Sequence, residues 1–415
     1  MSRLLQVSEL PLKINPNTCL EITSTNVNYF THGFFKYPCK FIPHIPAWAI
    51  ERYTKPNDLV LDSFAGSGTT LVESVLKNRN GLGIDFDPFS QLLCKAKTCN
   101  YSDSILKKIK EFRNQLDIST KPKENFLPDI HNIEHWFPKE NICDLSALRF
   151  TISEYEKDQK VYNFLRVCFA SIIRKCSYAE PTSPKPYVST RIKKEPLEVE
   201  KTFLKTVETC LKRIESFNYT DFGNSTIISN DARRINAKKY LGKVTLAITS
   251  PPYINAFDYV RSLRLENAWL GFYGDSSIID IKRKQVGTET VSVKDYSKIS
   301  ATGIPKLDKI VSKISKTDQK RAFVVQKFFL DMSENLTQVK KLLKKNSHYV
   351  IVVGISNIRG TRVPTNELLA EIAKIHGYSL ENMFSYIIKN RYLRIPRSGR
   401  GGLIEKDWIL DLVRN

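Results

Sequence analysis

Residues 59–85 constrain the fold of this chain more than any other segment. Residues 59–62, Leu-Val-Leu-Asp, are a short apolar run of the kind that forms a buried strand. A glycine-bearing loop follows, and 70–76 then carries apolar residues at helical spacing. Residues 81–85 read as a second strand ending on an acid, Asp85. Strand, loop, helix and strand in that order make a βαβ unit, which requires two parallel strands and a crossover. Just upstream, 47–53 reads as a helix, closed by a Lys55-Pro56-Asn57-Asp58 turn.

Further strand-like runs lie at 226–231, 244–249, 347–354, 383–388 and 408–413, with helical stretches at 322–344 and 365–376. The alternation predicts an α/β fold with a doubly wound sheet. Two stretches break the rhythm. Residues 100–220 read as a largely helical insertion with a polar loop at 177–189. Residues 274–320 are polar and basic with few apolar clusters, which predicts a mobile loop. The chain thus divides into 1–99, the insertion 100–220, and 221–415.

The loop after the first strand runs Asp62-Ser63-Phe64-Ala65-Gly66-Ser67-Gly68-Thr69-Thr70. Its glycines permit a tight turn and a close backbone approach to a ligand. The following helix offers free N–H groups to an anionic group. No Lys follows the second glycine, so this is not a phosphate-binding P-loop. Asp85 stands 19 residues after Gly66, where a carboxylate can accept both hydroxyls of a ribose. Together they suit an adenosine-bearing cofactor; a ligand-free tight turn is the plain alternative.

The run 244–249 ends in Thr249-Ser250-Pro251-Pro252-Tyr253. Two prolines fix the backbone and donate no hydrogen bonds, leaving their carbonyls rigidly aimed. Such acceptors suit the exocyclic amine of a base, whose lone pair is delocalised into the ring. Acceptors around its hydrogens pull the nitrogen toward tetrahedral geometry, so that the lone pair can attack a methyl-sulfonium carbon. The Pro251 carbonyl and Ser250 hydroxyl are the candidate acceptors, and Tyr253 offers a face to a flipped-out base. Pro-Pro also makes plain rigid turns; the hydrophobic strand before it, the aromatic after it and the upstream glycine loop favour chemistry.

The net charge of +21 points to a polyanionic partner, with a lysine-rich surface as the alternative. No apolar run approaches the roughly 18–20 residues of a membrane helix. The first residues lack the pattern of a secretory signal, and a cytoplasmic location is expected. Eight cysteines are scattered without C-x2-C pairs, so no metal site is expected and reduced thiols are. Cys39, after Pro38, resembles the nucleophile of carbon-methylating enzymes but lies upstream of the glycine loop, and is read as packing.

These motifs resemble those of the DNA amino-methyltransferases. Phe64-Ala65-Gly66-Ser67-Gly68-Thr69 is similar to the family's F-x-G-x-G cofactor motif, and Ser250-Pro251-Pro252-Tyr253 to its (D/N/S)-P-P-(Y/F) catalytic motif. The Ser form is typical of the cytosine-N4 branch; Asp or Asn is usual for adenine N6. Residues 32–43, with Tyr37, resemble the segment that helps hold the methionine end of the cofactor. Asn230-Asp231-Ala232 resembles the third-strand motif whose acid meets the adenine. The resemblance implies a Rossmann-like fold that binds S-adenosylmethionine and double-stranded DNA, with a cognate restriction endonuclease as a possible partner. It assigns Ser250, Pro251, Pro252 and Tyr253 to catalysis. It assigns Tyr37, Asp62, Phe64, Ala65, Gly66, Ser67, Gly68, Thr69, Thr70, Asp85, Phe86, Asp231, Ala232 and Thr249 to the cofactor.

Many cytosine-N4 relatives carry the catalytic motif first, whereas the glycine motif leads here. Rules for locating the target-recognition region therefore transfer poorly; 100–220 is the first candidate and 274–320 the second. Arg261 and Arg264, and the basic cluster Arg391, Arg394, Arg397 and Arg400, are candidate DNA contacts. Three rival readings remain: adenine-N6 methylation; an RNA guanine-N2 enzyme, disfavoured because only about 30 residues precede the first motif; and an inactive DNA-binding relative.

Overall fold

The computed structural model describes residues 4–24, 26–121, 126–180, 183–191, 193–217, 221–254, 257–297, 299–389 and 404–415. Its centre is a nine-stranded sheet. Two short strands, β1 (Leu4–Val7) and β2 (Cys19–Ile22), open the chain. Helix α1 (His44–Tyr53) leads into β3 (Leu59–Asp62), α2 (Thr69–Leu76) and β4 (Asn80–Ile84). This is the βαβ unit expected from the sequence, and β3 and β4 pair in parallel. Helix α3 (Pro88–Lys97) follows.

The insertion supplies α4 (Asp103–Gln115), α5 (Ile133–Trp136), α6 (Lys139–Ser153), α7 (Gln159–Ile173) and α8 (Val199–Glu215). The sheet resumes with β5 (Ser225–Ser229) and β6 (Val244–Thr249). Then come α9 (Tyr259–Ser262), α10 (Arg264–Trp269), α11 (Ile278–Lys284), α12 (Val293–Tyr296), α13 (Pro305–Ser315) and α14 (Gln319–Leu342). Strand β7 (Leu343–Gly354), the hairpin β8 (Ser356–Ile358) and β9 (Thr361–Val363), α15 (Thr365–Ile375), β10 (Tyr378–Ile387) and β11 (Lys406–Arg414) complete the described chain.

The strand order is β1-β2-β10-β11-β7-β6-β3-β4-β5. Only β11 runs against its neighbours. From β3 the chain winds outward through β4 to β5, and from β6 it winds the other way through β7. The junction of β3 and β6 is therefore a topological switch point, where a crevice opens at the carboxyl ends of the strands. The acid Asp62 and the tetrapeptide 250–253 stand at that edge.

Strand residues alternate between two cores, as the two-residue period demands. Val60, Leu246, Ile248, Val350 and Val352 pack with Trp48 and Ile50 of α1. Leu61, Ala247, Tyr349, Ile351 and Val353 pack with Phe328, Met332 and Leu369 on the opposite face. The insertion builds no separate core. Its buried residues, including Leu145, Phe164 and Phe203, join one cluster with Phe34, Phe89 of α3 and Trp269 of α10.

The structure corrects the reading of 274–320 as a loop. Three helices lie there, and Leu307, Val311 and Ile314 of α13 are buried in the core shared with α14. Leu307, Ile310, Val311 and Ile314 follow helical spacing, a local signal that a reading of the whole stretch as polar and basic passed over. Strands β1, β2, β8 and β9 escaped notice because each spans only three or four residues. Cys39, expected to pack, is solvent-exposed with φ of 53°. No helix among the described residues is long and apolar enough to cross a membrane.

Leu307 is fully buried, so Leu307→Ala should destabilise the fold by about 2–5 kcal/mol, measured by urea unfolding. A change under 0.5 kcal/mol would return 305–315 to the status of a loop.

Candidate active site

Parallel pairing brings the carboxyl ends of β3 and β6 together, so that Asp62 and Thr249 lie side by side. The Thr249 hydroxyl donates to Asp62 Oδ1 at 2.7 Å. It also accepts the Phe64 N–H at 3.1 Å, and the same N–H reaches Asp62 Oδ1 at 3.0 Å. The start of the glycine loop is thus fastened to the strand that carries the tetrapeptide. Burial pushes the Asp62 carboxyl up to about 6. Its Oδ2 is buried and has no hydrogen-bond partner among the described residues.

The loop turns through Gly66 at φ 49° and Gly68 at φ 76°, in the left-handed region that suits glycine. A Cβ on Gly68 would meet Cys94 Sγ at 3.1 Å, so α3 sits hard against the turn. The Gly66 N–H donates to Asp85 Oδ2 at 2.7 Å, and the Asp87 N–H to Asp85 Oδ1 at 2.9 Å. Burial pushes the Asp85 carboxyl up to about 7, and the neighbouring Asp87 charge adds to it. The Ser67 carbonyl accepts from Lys97 Nζ at 2.6 Å, deep in the protein. Burial pulls that ammonium down to about 7. Ala65, Ser67, Thr69 and Thr70 are buried in the turn, while Phe86 is half-buried beside Asp85.

The segment before α1 is tied to the same loop. His32 Nε2 and the Tyr29 hydroxyl both bond Glu73 of α2, the His32 contact at 2.8 Å. Burial pulls His32 down to about 4, so at neutral pH the neutral ring donates to the carboxylate. Tyr37 lies against Gly66, its hydroxyl 2.9 Å from Ser90 Oγ, and its ring stacks on Tyr259 at 6.0 Å. Asp231, after β5, is bound at 2.9 Å by Arg233, which also reaches Asp331 at 3.3 Å. The Ala232 carbonyl accepts from Asn335 Nδ2 at 2.9 Å.

Beyond Thr249 the chain leaves the sheet as Ser250, Pro251 and Pro252. Among the described residues, no hydrogen bond reaches the Pro251 carbonyl. Tyr253 is half-buried and its hydroxyl donates to Asp407 Oδ1 at 2.6 Å. Asp407 is the second residue of β11, and its Oδ2 accepts the Tyr386 hydroxyl at 2.8 Å. Register explains the meeting: Asp407 pairs with Tyr386 of β10 on one side and Gly354 of β7 on the other. A Cβ on Gly354 would come 2.9 Å from the Tyr253 ring, so only glycine admits the ring there. Burial pushes the Asp407 carboxyl upward. Sequence reasoning missed Asp407, which precedes the apolar run 408–410 and shares its strand with a second acid, Asp411.

The candidate nucleic-acid contacts divide. Arg261 is exposed on α9. Arg264 is engaged, paired with Asp275 at 3.1 Å and lying 4.8 Å from the Trp136 ring centroid. Arg391, Arg394, Arg397 and Arg400 lie outside the described residues.

Residues 13–93, which span the segment tied to α2, the glycine loop and Asp85, match the N6_N4_Mtase family model, described as DNA methylase. The chain is 27% identical to the type II methyltransferase M.MvaI of Kocuria varians, over 94% of this chain and 91% of that one. It is 23% identical to the type II methyltransferase M.BsoBI of Geobacillus stearothermophilus, over 66% of this chain and 58% of that one. A solved SAM-dependent methyltransferase from Methanosarcina mazei aligns over 88% of this chain and 96% of its own, with 8% identity and a TM-score of only 0.31.

The raised Asp85 carboxyl has a consequence for stability. Between about pH 4 and 7 the folded chain keeps a proton that the unfolded chain has released. Stability therefore falls as pH rises through that window. Asn does not titrate, so the melting-temperature difference of Asp85→Asn over wild type should shift in favour of the variant from pH 5 to pH 8. A difference that stays constant with pH would show that Asp85 ionises normally.

Proposed function

We propose that the chain is the modification methyltransferase of a restriction-modification system. It binds double-stranded DNA, takes a methyl group from S-adenosylmethionine and transfers it to the exocyclic N4 amine of cytosine. The observation that carries this reading is the junction of Asp62, Phe64 and Thr249, which joins the glycine loop to the tetrapeptide. The type II methyltransferase relatives support the class, and Ser250 in the first motif position supports cytosine over adenine.

The donor set suits that cofactor. Asp85 is a carboxylate for ribose hydroxyls, and the unpartnered Oδ2 of Asp62 suits an ammonium. Residues 64–70, with Tyr37, Phe86, Asp231, Ala232 and Thr249, complete the assigned contacts; Asp231 would have to share its carboxylate with Arg233. When bound, the cofactor supplies an electrophilic methyl group on a sulfonium.

The rest is work for this chain's own atoms. The Pro251 carbonyl and Ser250 hydroxyl accept from the two amine hydrogens and draw the nitrogen lone pair out of conjugation. Tyr253 presents its ring to the flipped-out base. The ring is held by its hydroxyl on Asp407 and by close contact at Gly354. Asp407 acts through Tyr253 and is a positioning residue. Holding the amine in near-attack geometry provides much of the rate.

Labelled cofactor, incubated with mixed-sequence DNA and followed by digestion to nucleosides, should yield 4-methyldeoxycytidine. Methylated deoxyadenosine would sink the cytosine assignment, and transfer only to RNA would sink the DNA assignment. Tyr253→Ala should lower turnover by roughly a hundredfold or more with little change in cofactor binding. Asp407→Ala should lower kcat by about tenfold to a hundredfold, again with cofactor affinity preserved. Unchanged turnover in either variant removes that residue from the mechanism.

A further inference from the structure

On the helical side of the molecule, α6 and α7 meet the end of α10 around a cavity of about 210 Å³. Its walls include Arg149, Arg166, Phe126, Tyr162 and Leu270. The Arg149 guanidinium carbon lies 3.1 Å from the centroid of the Phe126 ring. Arg166 lies 4.7 Å from the Phe272 ring and 5.0 Å from that of Tyr162.

Both arginines are half-buried. Arg166 donates one N–H to the Leu270 carbonyl at 3.3 Å. Arg149 makes no hydrogen bond among the described residues, and neither arginine has a carboxylate within ion-pairing distance there. Glu156 acts on Arg166 only from farther away. Other half-buried arginines are met either by a carboxylate, as Arg174 is by Glu266 at 2.9 Å, Arg233 by Asp231 at 2.9 Å and Arg264 by Asp275 at 3.1 Å, or by backbone carbonyls, as Arg79, Arg213 and Arg414 are. Among the described residues the two cations line one hollow with no carboxylate beside them, an arrangement that an anion would complete. Burial pulls Arg149 down to about 10, and the Arg166 charge works in the same direction.

We propose that this cavity is a phosphate-binding site formed by Arg149 and Arg166. The guanidinium fork matches oxyanions better than any other side chain. Volume limits the occupant. About 210 Å³ corresponds to roughly seven waters and falls below the roughly 300 Å³ at which small-molecule pockets begin. A phosphate fits inside, and because the cavity opens to solvent the rest of the molecule that carries it can lie outside. The phosphate comes either from a DNA backbone, which rests on the proposed function, or from free phosphate, which does not.

Inorganic phosphate is titrated into the full wild-type chain and into the Arg149→Met/Arg166→Met double variant, with thermal unfolding as the readout. Methionine removes the charge and keeps an apolar stem against the Phe126 and Phe272 rings. A parallel titration uses a short non-specific DNA duplex at several salt concentrations. Phosphate should raise the wild-type melting temperature above a chloride control of equal ionic strength, and should leave the variant unmoved. Duplex binding by the variant should weaken, with its log–log salt slope reduced by about one. Equal phosphate shifts in the two proteins overturn the proposal. So does a wild-type shift no larger than that with chloride, a comparison that holds even if the variant fails to fold. An arginine-dependent phosphate shift with unchanged duplex binding assigns the site to free phosphate. The same shift in a wild-type chain that binds no duplex sinks the DNA reading and leaves this site standing.

Discussion

One carboxylate oxygen, Asp62 Oδ1, organises the carboxyl edge of the sheet. It accepts both the Thr249 hydroxyl and the Phe64 N–H, joining residues 187 positions apart in sequence. The contact is buried, so water does not compete with it, and loss of either partner would leave a polar group unsatisfied. Adjacent parallel strands bring the two loops near one another, but backbone pairing ends where the strands end. From there, side chains fix the distance between the glycine turn and the Ser250–Tyr253 segment.

The surrounding loops are held in the same way. Ser63 Oγ lies 3.0 Å from the Tyr349 hydroxyl, which donates to Asn335 Oδ1 at 2.6 Å, while Asn335 Nδ2 holds the Ala232 carbonyl. This buried relay spans the crevice from the β3 loop to the β5 loop. Glu73 anchors the segment around His32 from the helix side, and Asp407 anchors Tyr253 from the sheet side. Buried networks of this kind specify geometry more than they add stability.

The βαβ unit was legible because its strands are continuous apolar runs bounded by turn residues. The two glycines and Asp85 stood out through their spacing, and the structure joins Gly66 directly to Asp85. The helices of 278–315 were passed over because α11 and α12 are short and bury no residue, although α13 carries Leu307, Ile310, Val311 and Ile314 at helical spacing. Asp407 was hidden for a different reason. Its importance comes from the register of β10, β11 and β7, which is a long-range property that no local window contains. Arg264 shows the converse: a basic residue after the tetrapeptide invited a phosphate contact, yet Asp275 and Trp136 already occupy it.

The acid at the end of β4 and the buried lysine of α3 share a property with consequences for energetics. Asp85 is pushed up to about 7 and Lys97 is pulled down to about 7, on two sides of one loop. Near neutral pH each is poised between charged and uncharged forms, so a ligand bound at the turn can change the charge state of either. A ligand that brings hydroxyl donors to Asp85 selects its carboxylate form and sheds a proton to the solvent. Binding heat would then vary with the ionisation enthalpy of the buffer, and affinity would climb with pH until Asp85 is fully ionised.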